Sequence, residues 1–223
     1  MRLQDKVAVV TGGAQGFGEG IARRFVAEGA KVVVADLNEA GARNVASRLG
    51  KHAAACRADV TKAADVKAMV GLAMKSFGRL DIVVNNAGTT HVNKPMLDVK
   101  EEEFDRIFAV NVKGIYLAAL EAVPIFRKQG GGVFLNIAST AGLRPRPGLT
   151  VYNSSKGAVN VMTKSMAVEF APDKIRVNSL CPVAGDTPLL ASFLGANTRE
   201  AFIKTVPLGR LSTPEDIALK SAA

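Results

Sequence analysis

Residues 152 to 156 read Tyr152-Asn153-Ser154-Ser155-Lys156, and Ser139 stands thirteen positions upstream, just past the apolar run Val133 to Ala138. Four residues make about one helical turn, so the Tyr152 phenol and the Lys156 ammonium would share a helix face. A tyrosine ionises near pH ~10, and a semi-buried ammonium that lowered this by about two units would stabilise phenolate by about 2.7 kcal/mol. We expect Lys156 to have this effect, so that Tyr152 exchanges protons near neutral pH. Ser139, at a strand end, would donate a hydrogen bond to the same substrate oxygen. Such a trio suits the reversible oxidation of an alcohol.

A second cluster lies near the N-terminus. The apolar run Val7 to Val10 leads into Thr11-Gly12-Gly13-Ala14-Gln15-Gly16-Phe17-Gly18, where a helix begins. Glycines let backbone approach a pyrophosphate whose charge helix N-terminal amides stabilise. A plain loop would carry the same residues. Against it stand the strand before, the helix after and Asp36 at the end of the next strand-like run, twenty residues past Gly16. An acid there accepts from both ribose hydroxyls and repels a 2′-phosphate, which favours NAD over NADP. Gln15 agrees, since a basic residue at that point would have helped hold the phosphate.

These residues need a frame that brings strand ends together. Short, β-branched runs at Val7 to Val10, Val32 to Ala35, Ala53 to Cys56, Ile82 to Val84, Val133 to Ile137 and Ile175 to Leu180 are nearly continuous in apolar character, as parallel strands covered on both faces are. Segments of helical period separate them, for example Ile21, Phe25 and Val26, then Val66, Met69, Val70 and Ala73. This alternation predicts an α/β fold with a doubly wound parallel sheet, Rossmann-like, in three α/β/α layers. A length of 223 residues with 48% hydrophobic and 22% charged content fits one domain spanning residues 1–223.

The formal charge of +9 raises nucleic acid as a partner, but the basic residues are scattered and only two tyrosines and no tryptophan are available to stack on bases, so no nucleic-acid partner is expected. No apolar stretch approaches the roughly 20 residues that span a bilayer, and no secretory signal precedes Val7; the expectation is a cytoplasmic protein without a membrane partner. Cys56 and Cys181 read as core thiols, His52 as a surface residue, and no metal site is expected. His91, just after a glycine-containing segment, is a candidate for touching substrate.

Together these features resemble the short-chain dehydrogenase/reductase family from residue 6 to about residue 218. The glycine pattern at 11 to 18, the segment Asn85-Asn86-Ala87-Gly88, Asn111, and Ser139, Tyr152 and Lys156 all match in order. The resemblance implies catalytic roles for Ser139, Tyr152, Lys156 and Asn111, the last helping to hold a water that links Lys156 to solvent, although a surface or helix-kink role suits an isolated asparagine equally. Cofactor contacts are implied at Gly12, Gln15, Gly16, Phe17, Gly18, Asp36, Leu37, Asp59, Val60, Asn85, Ala87, Gly88, Tyr152, Lys156, Pro182 and Thr187. Asp59 would accept from the adenine amino group and Thr187 would bond the nicotinamide carboxamide; Asn85 to Gly88 also reads as a simple structural turn. Val183 replaces the glycine usual after the sixth strand. The family usually continues for about 30 residues beyond this length, through a seventh strand, so the expectation is a chain truncated at its C-terminus with the last strand missing.

The implied function is NAD-dependent transfer of hydride between nicotinamide and a secondary alcohol or ketone, with NADPH-linked 3-oxoacyl-acyl-carrier-protein reduction as the alternative within the family. Substrate choice would lie in segments 89–97, 140–149 and 186–206. A non-catalytic NAD-sensing protein is the alternative of another class. Apolar residues on more than one face of 104–126 and 151–170, such as Val159, Val161, Met162 and Met166, predict a homodimer or homotetramer.

Overall fold

The structure is a computed structural model that describes residues 1–195 and 198–222; positions 196, 197 and 223, which include two residues of the expected substrate segment 186–206, lie outside the described residues. The elements alternate as expected: β1 (Val7–Thr11), α1 (Gly16–Ala27), β2 (Lys31–Asp36), α2 (Glu39–Leu49), β3 (Ala53–Arg57), α3 (Ala63–Phe77), β4 (Ile82–Asn85), α4 (Glu101–Phe108), α5 (Gly114–Gln129), β5 (Gly132–Ile137), α6 (Thr150–Phe170), β6 (Ile175–Leu180), then short α7 (Leu190–Leu194) and α8 (Arg199–Ile203), and α9 (Pro214–Ser221).

All six strands are parallel and lie in the order β3-β2-β1-β4-β5-β6. The chain reverses its direction of travel across the sheet at β1, which pairs with β2 on one side and β4 on the other. At such a switch point the flanking connections part and leave a crevice at the C-terminal ends of the strands. One core layer packs α3, α5 and α6 on the sheet through residues such as Met69, Phe126 and Phe134. The opposite layer seats α1, α2 and α9 through Ile21, Phe25, Val45 and Ile217. Both faces are therefore dry, which explains why β1 is buried at every position and why Val7 to Val10 are all valine or alanine.

The ends of helices follow local chemistry. Asn38 caps α2 by accepting from the Gly41 N–H. Thr213 and Asp216 form a reciprocal capping box at α9 with Pro214 in its first turn, where a missing N–H costs nothing. Asn111 does not sit in regular α-helix: Ala109–Lys113 is a π-helical turn between α4 and α5, a local widening that re-aims side chains.

Three sequence readings change here. The whole helical run Glu101–Gln129, 29 residues, is long and apolar enough to cross a bilayer by length and composition, but its inner face, including Ile107, Ala118 and Phe126, is buried in the core. Val159 and Met166 pack within the protein, whereas Val161 on the same helix is exposed. Cys56 and Cys181 are only half-buried, because one lies on the edge strand β3 and the other beyond the end of β6.

The element that carries Tyr152 and Lys156 is tied to the sheet by a buried polar chain. Asn85 and Asn136 are register partners on β4 and β5; the Asn85 amide donates to Asn136 Oδ1 at 2.8 Å, the Asn136 amide donates to Thr163 Oγ1 at 2.9 Å, and Thr163 donates to the Val159 carbonyl at 2.8 Å on α6. Asn136 is 0% exposed. Replacing it by Ala strands the buried Asn85 amide, at about 1–3 kcal/mol, and removes the bond that Thr163 Oγ1 accepts. We predict that Asn136→Ala lowers unfolding free energy by about 2–4 kcal/mol, checked by urea denaturation with an unchanged m-value.

Candidate active site

The crevice at the switch point is a cleft of about 560 Å³. Its floor is the turn between β1 and α1. Gly12 has φ +61°, and a Cβ on Gly18 would lie 2.0 Å from the Gly12 carbonyl oxygen, so the turn closes only because both lack side chains. Thr11 fastens this turn to β4: its hydroxyl donates to the Val84 carbonyl and accepts from the Asn86 and Ala87 N–H groups.

At one end of the cleft stands Asp36. Its two carboxylate oxygens accept from the Ala14 and Asn38 N–H groups, each at 2.9 Å. Each oxygen keeps a further lone pair for an incoming hydroxyl. Asp59 is held by Thr61, whose hydroxyl donates to it at 2.7 Å and holds its carboxyl below the usual carboxylate range.

At the other end, β5 and α6 bring Ser139, Tyr152 and Lys156 together. All three are buried, at 5%, 6% and 5% exposure. Lys156 Nζ donates to the Ile137 carbonyl at 2.6 Å and lies 5.9 Å from the centre of the Tyr152 ring. Ser139 Oγ accepts from the Ala141 N–H at 3.1 Å and makes a long contact, 3.4 Å, to the Pro182 carbonyl. The Tyr152 ring meets Phe193 of α7 edge-on, with centroids 5.0 Å apart.

The electrostatics of this end reverse one expectation. Burial pushes the Tyr152 phenol up to about 12, with a hydrogen bond to Ser139 as the opposing influence, and burial pushes the Lys156 ammonium down to about 8. Lys156 does not depress the phenol in this state. The reason is desolvation: both charged forms lose their water, and the ammonium is directed at Ile137 and not at the phenolate position.

The cleft brings together Gly12, Gln15, Gly16, Phe17, Asp36, Leu37, Asp59, Val60, Ala87, Gly88, Ser139, Tyr152, Lys156, Pro182 and Thr187. Three expected site residues do not line it. Gly18 lies beneath the turn. Asn85 spends its amide on Asn136. Asn111 is 2% exposed and holds the following loop, accepting from the Thr89 N–H and donating to the Thr89 carbonyl and Ser155. It still borders the site, since a Cβ placed on Gly88 would lie 3.5 Å from Asn111 Oδ1 and 3.6 Å from Lys156 Nζ. His91 is buried at 2% exposure with Nδ1 2.8 Å from the Val92 carbonyl, and it does not reach the cleft. His52 is exposed.

Sequence reasoning missed Arg106, whose guanidinium lines the cleft and donates to Thr89 Oγ1 at 2.8 Å, and Phe193, which packs on Tyr152. An arginine on an exposed helix face carries no signal by itself. The more readable clue was Asn136, an amide inside an otherwise apolar strand.

The sequence profile of the short chain dehydrogenase family matches residues 6–197. The 4-formylbenzenesulfonate dehydrogenase of Comamonas testosteroni is 50% identical over 225 residues, covering 98% of this chain and 89% of that protein. Galactitol 2-dehydrogenase of Agrobacterium fabrum is 38% identical, covering 97% and 89%. A crystal structure of 3-ketoacyl-(acyl-carrier-protein) reductase from Brucella melitensis complexed with NADH superposes with a TM-score of 0.94 at 48% identity, covering 99% of this chain and 90% of that one. The chain belongs to the short-chain dehydrogenase family. It is an NAD(P)-dependent oxidoreductase.

The Lys156 shift has a testable sign. Its folded value, about 8, lies below its ordinary 10.5, so its contribution favours the folded state above pH 10.5 and is lost as pH falls through 8. We predict that the stability of Lys156→Met relative to the parent, measured by thermal or urea unfolding of the cofactor-free protein, declines as pH rises from about 8 to 10.5.

Proposed function

We propose that the cleft binds NAD in preference to NADP and that Ser139, Tyr152 and Lys156 serve hydride transfer between the cofactor and a secondary alcohol or ketone. The observation that carries this reading is the burial of all three side chains at one end of a cleft whose other end holds a glycine turn and a backbone-anchored Asp36. The donor set fits a dinucleotide: the turn admits a pyrophosphate without steric conflict, α1 starts beside it, and Asp36 offers two oxygens to a ribose. A negative charge at that place opposes a 2′-phosphate. The NADH named with the solved relative is in keeping with this preference.

Bound nicotinamide supplies or accepts the hydride. The protein's part is to manage a proton and an oxygen. In reduction the Tyr152 phenol, which burial keeps protonated in the cofactor-free state, gives its proton to the developing alkoxide. The Ser139 hydroxyl, weakly engaged with Pro182, turns to the same oxygen and stabilises its charge. Lys156 uses one of its three donors on Ile137 and has two left for ribose hydroxyls. Those contacts favour the charged amine and bring its influence toward Tyr152 when the cofactor is in place. Asn111 and Asn85 act as positioning residues. Asp59 and Val60 lie where the adenine would rest, and Thr187 and Pro182 close over the nicotinamide end.

A 3-oxoacyl-acyl-carrier-protein reductase activity is the second reading, supported by the name and 48% identity of the solved relative. The named activities of the relatives span an aryl aldehyde, a polyol and an acyl thioester. Retention of all three catalytic side chains argues against a silent NAD sensor. The exposed apolar residues Tyr116, Leu120, Val161 and Val168 on the outer sides of α5 and α6 support assembly as a homodimer or homotetramer.

We predict that Tyr152→Phe lowers kcat by about 100-fold or more while leaving the NADH dissociation constant within about threefold, measured by NADH oxidation and fluorescence titration. Parent-like turnover in the variant would remove Tyr152 from the reaction. We further predict that Asp36→Ala shifts the NADH/NADPH ratio of kcat/KM toward NADPH by about tenfold or more, since the variant loses ribose bonds and charge repulsion together.

A further inference from the structure

Behind Phe193 lies a second cavity, about 610 Å³, lined by Asn93, Lys94, Arg146, Leu149, Phe202 and Thr205 among others, with Phe193 common to both spaces. Because the Phe193 ring packs on Tyr152, this cavity starts one side chain away from the reacting end of the cleft. Its walls are fixed to that end. The Asn153 amide, adjacent in sequence to Tyr152, donates to the Arg146 carbonyl at 2.8 Å. The Lys94 N–H donates to the Gly148 carbonyl at 3.0 Å, and the Asn93 N–H donates to the Ser192 carbonyl at 2.9 Å on α7.

The charge in this cavity is uneven. Among the described residues no carboxylate lines it. Lys94 is neutralised by Glu103 at 2.7 Å. Arg146 is half-buried, its guanidinium carbon 4.6 Å from the centre of the Phe202 ring, and no carboxylate among the described residues pairs with it. An arginine on an aromatic face keeps its planar donors directed outward, in the fork that matches an oxyanion. No hydrogen bond among the described residues engages them.

We infer that the substrate of the Ser139–Tyr152–Lys156 site carries an anionic group, of the carboxylate, sulfonate or phosphate kind, which passes Phe193 and docks on Arg146 in this second cavity. This rests on the hydride-transfer reading above and assigns Arg146 as the residue that selects the substrate's far end. The carbinol or carbonyl carbon stays at Tyr152, the body of the substrate lies along Phe193 and Leu149, and the anion displaces water from the Arg146 guanidinium. Charge-assisted bonds to an otherwise unpaired arginine are among the stronger polar contacts.

The test compares two anionic ketones, para-acetylbenzoate and its longer para-acetylphenylbutanoate counterpart, with their methyl esters, which keep shape and lose charge. NADH consumption is measured for the parent, Arg146→Met and Arg146→Lys. Methionine keeps an apolar stem over Phe202 and removes the charge. The expected result is a parent preference for at least one anion over its ester of about tenfold or more in kcat/KM, expressed mainly in KM, a collapse of that ratio in Arg146→Met, and partial recovery in Arg146→Lys. A merely structural role for Arg146 would lower both rates and leave the ratio in place. Equal use of anion and ester by the parent, or a ratio untouched by Arg146→Met, overturns the inference and leaves the hydride-transfer reading standing. Consumption of neither pair, or consumption that survives Tyr152→Phe, removes the reading and the inference together.

Discussion

A row of three buried polar side chains, Asn85, Asn136 and Thr163, fixes the helix that bears Tyr152 and Lys156 to the neighbouring strands β4 and β5. Apolar contact alone would leave α6 free to slide along the sheet by fractions of a turn, because hydrophobic burial has no direction. Hydrogen bonds do. With Asn136 fully buried and its amide committed on both sides, the rotation and height of α6 are set relative to the end of β5, where Ser139 emerges. The Asn111 side chain extends the same logic to the loop after β4 through Thr89 and Ser155. The reacting groups are thus located by polar bonds inside an otherwise apolar frame.

That frame also determines their protonation. Packing α6 and α7 over the strand ends excludes water from Tyr152 and Lys156, and both shift toward their neutral forms. A bound ribose would return hydrogen bonds to the ammonium that water no longer supplies. Dry packing therefore creates a demand that a cofactor can meet, and it links cofactor binding to the readiness of the phenol. At the far end Asp36 is half-buried, and two backbone N–H groups fix the orientation of its carboxylate toward the cleft.

Much of this was legible in the residues. The apolar runs located all six strands to within a residue or so, because a parallel sheet covered on both faces requires unbroken β-branched sequence, and the glycine turn with Asp36 marked the crevice. Other features were hidden for physical reasons. The π turn at Asn111 depends on packing between α4, α5 and the Thr89 loop, and no local residue pattern marks it. The effect of Lys156 on Tyr152 was read from their helical spacing, but desolvation dominates at this depth and sequence gives no measure of it. His91 looked available because it follows a loop, yet that loop folds inward. Arg106, Arg146 and Phe193 reach their places through tertiary contacts between distant segments, and none has a local signature.

The central claim is that hydride passes between a nicotinamide and a carbon held at Tyr152. The most direct test is to supply NADH carrying deuterium at the transferable C4 position, with aryl, polyol-derived and acyl-thioester ketones, and to examine the products by mass spectrometry. Hydride transfer at this site requires deuterium on the carbinol carbon of at least one product from the parent protein and none above background from Tyr152→Phe. Bound but unconsumed NADH with every ketone, or deuterium transfer that continues undiminished without the phenol, would contradict it.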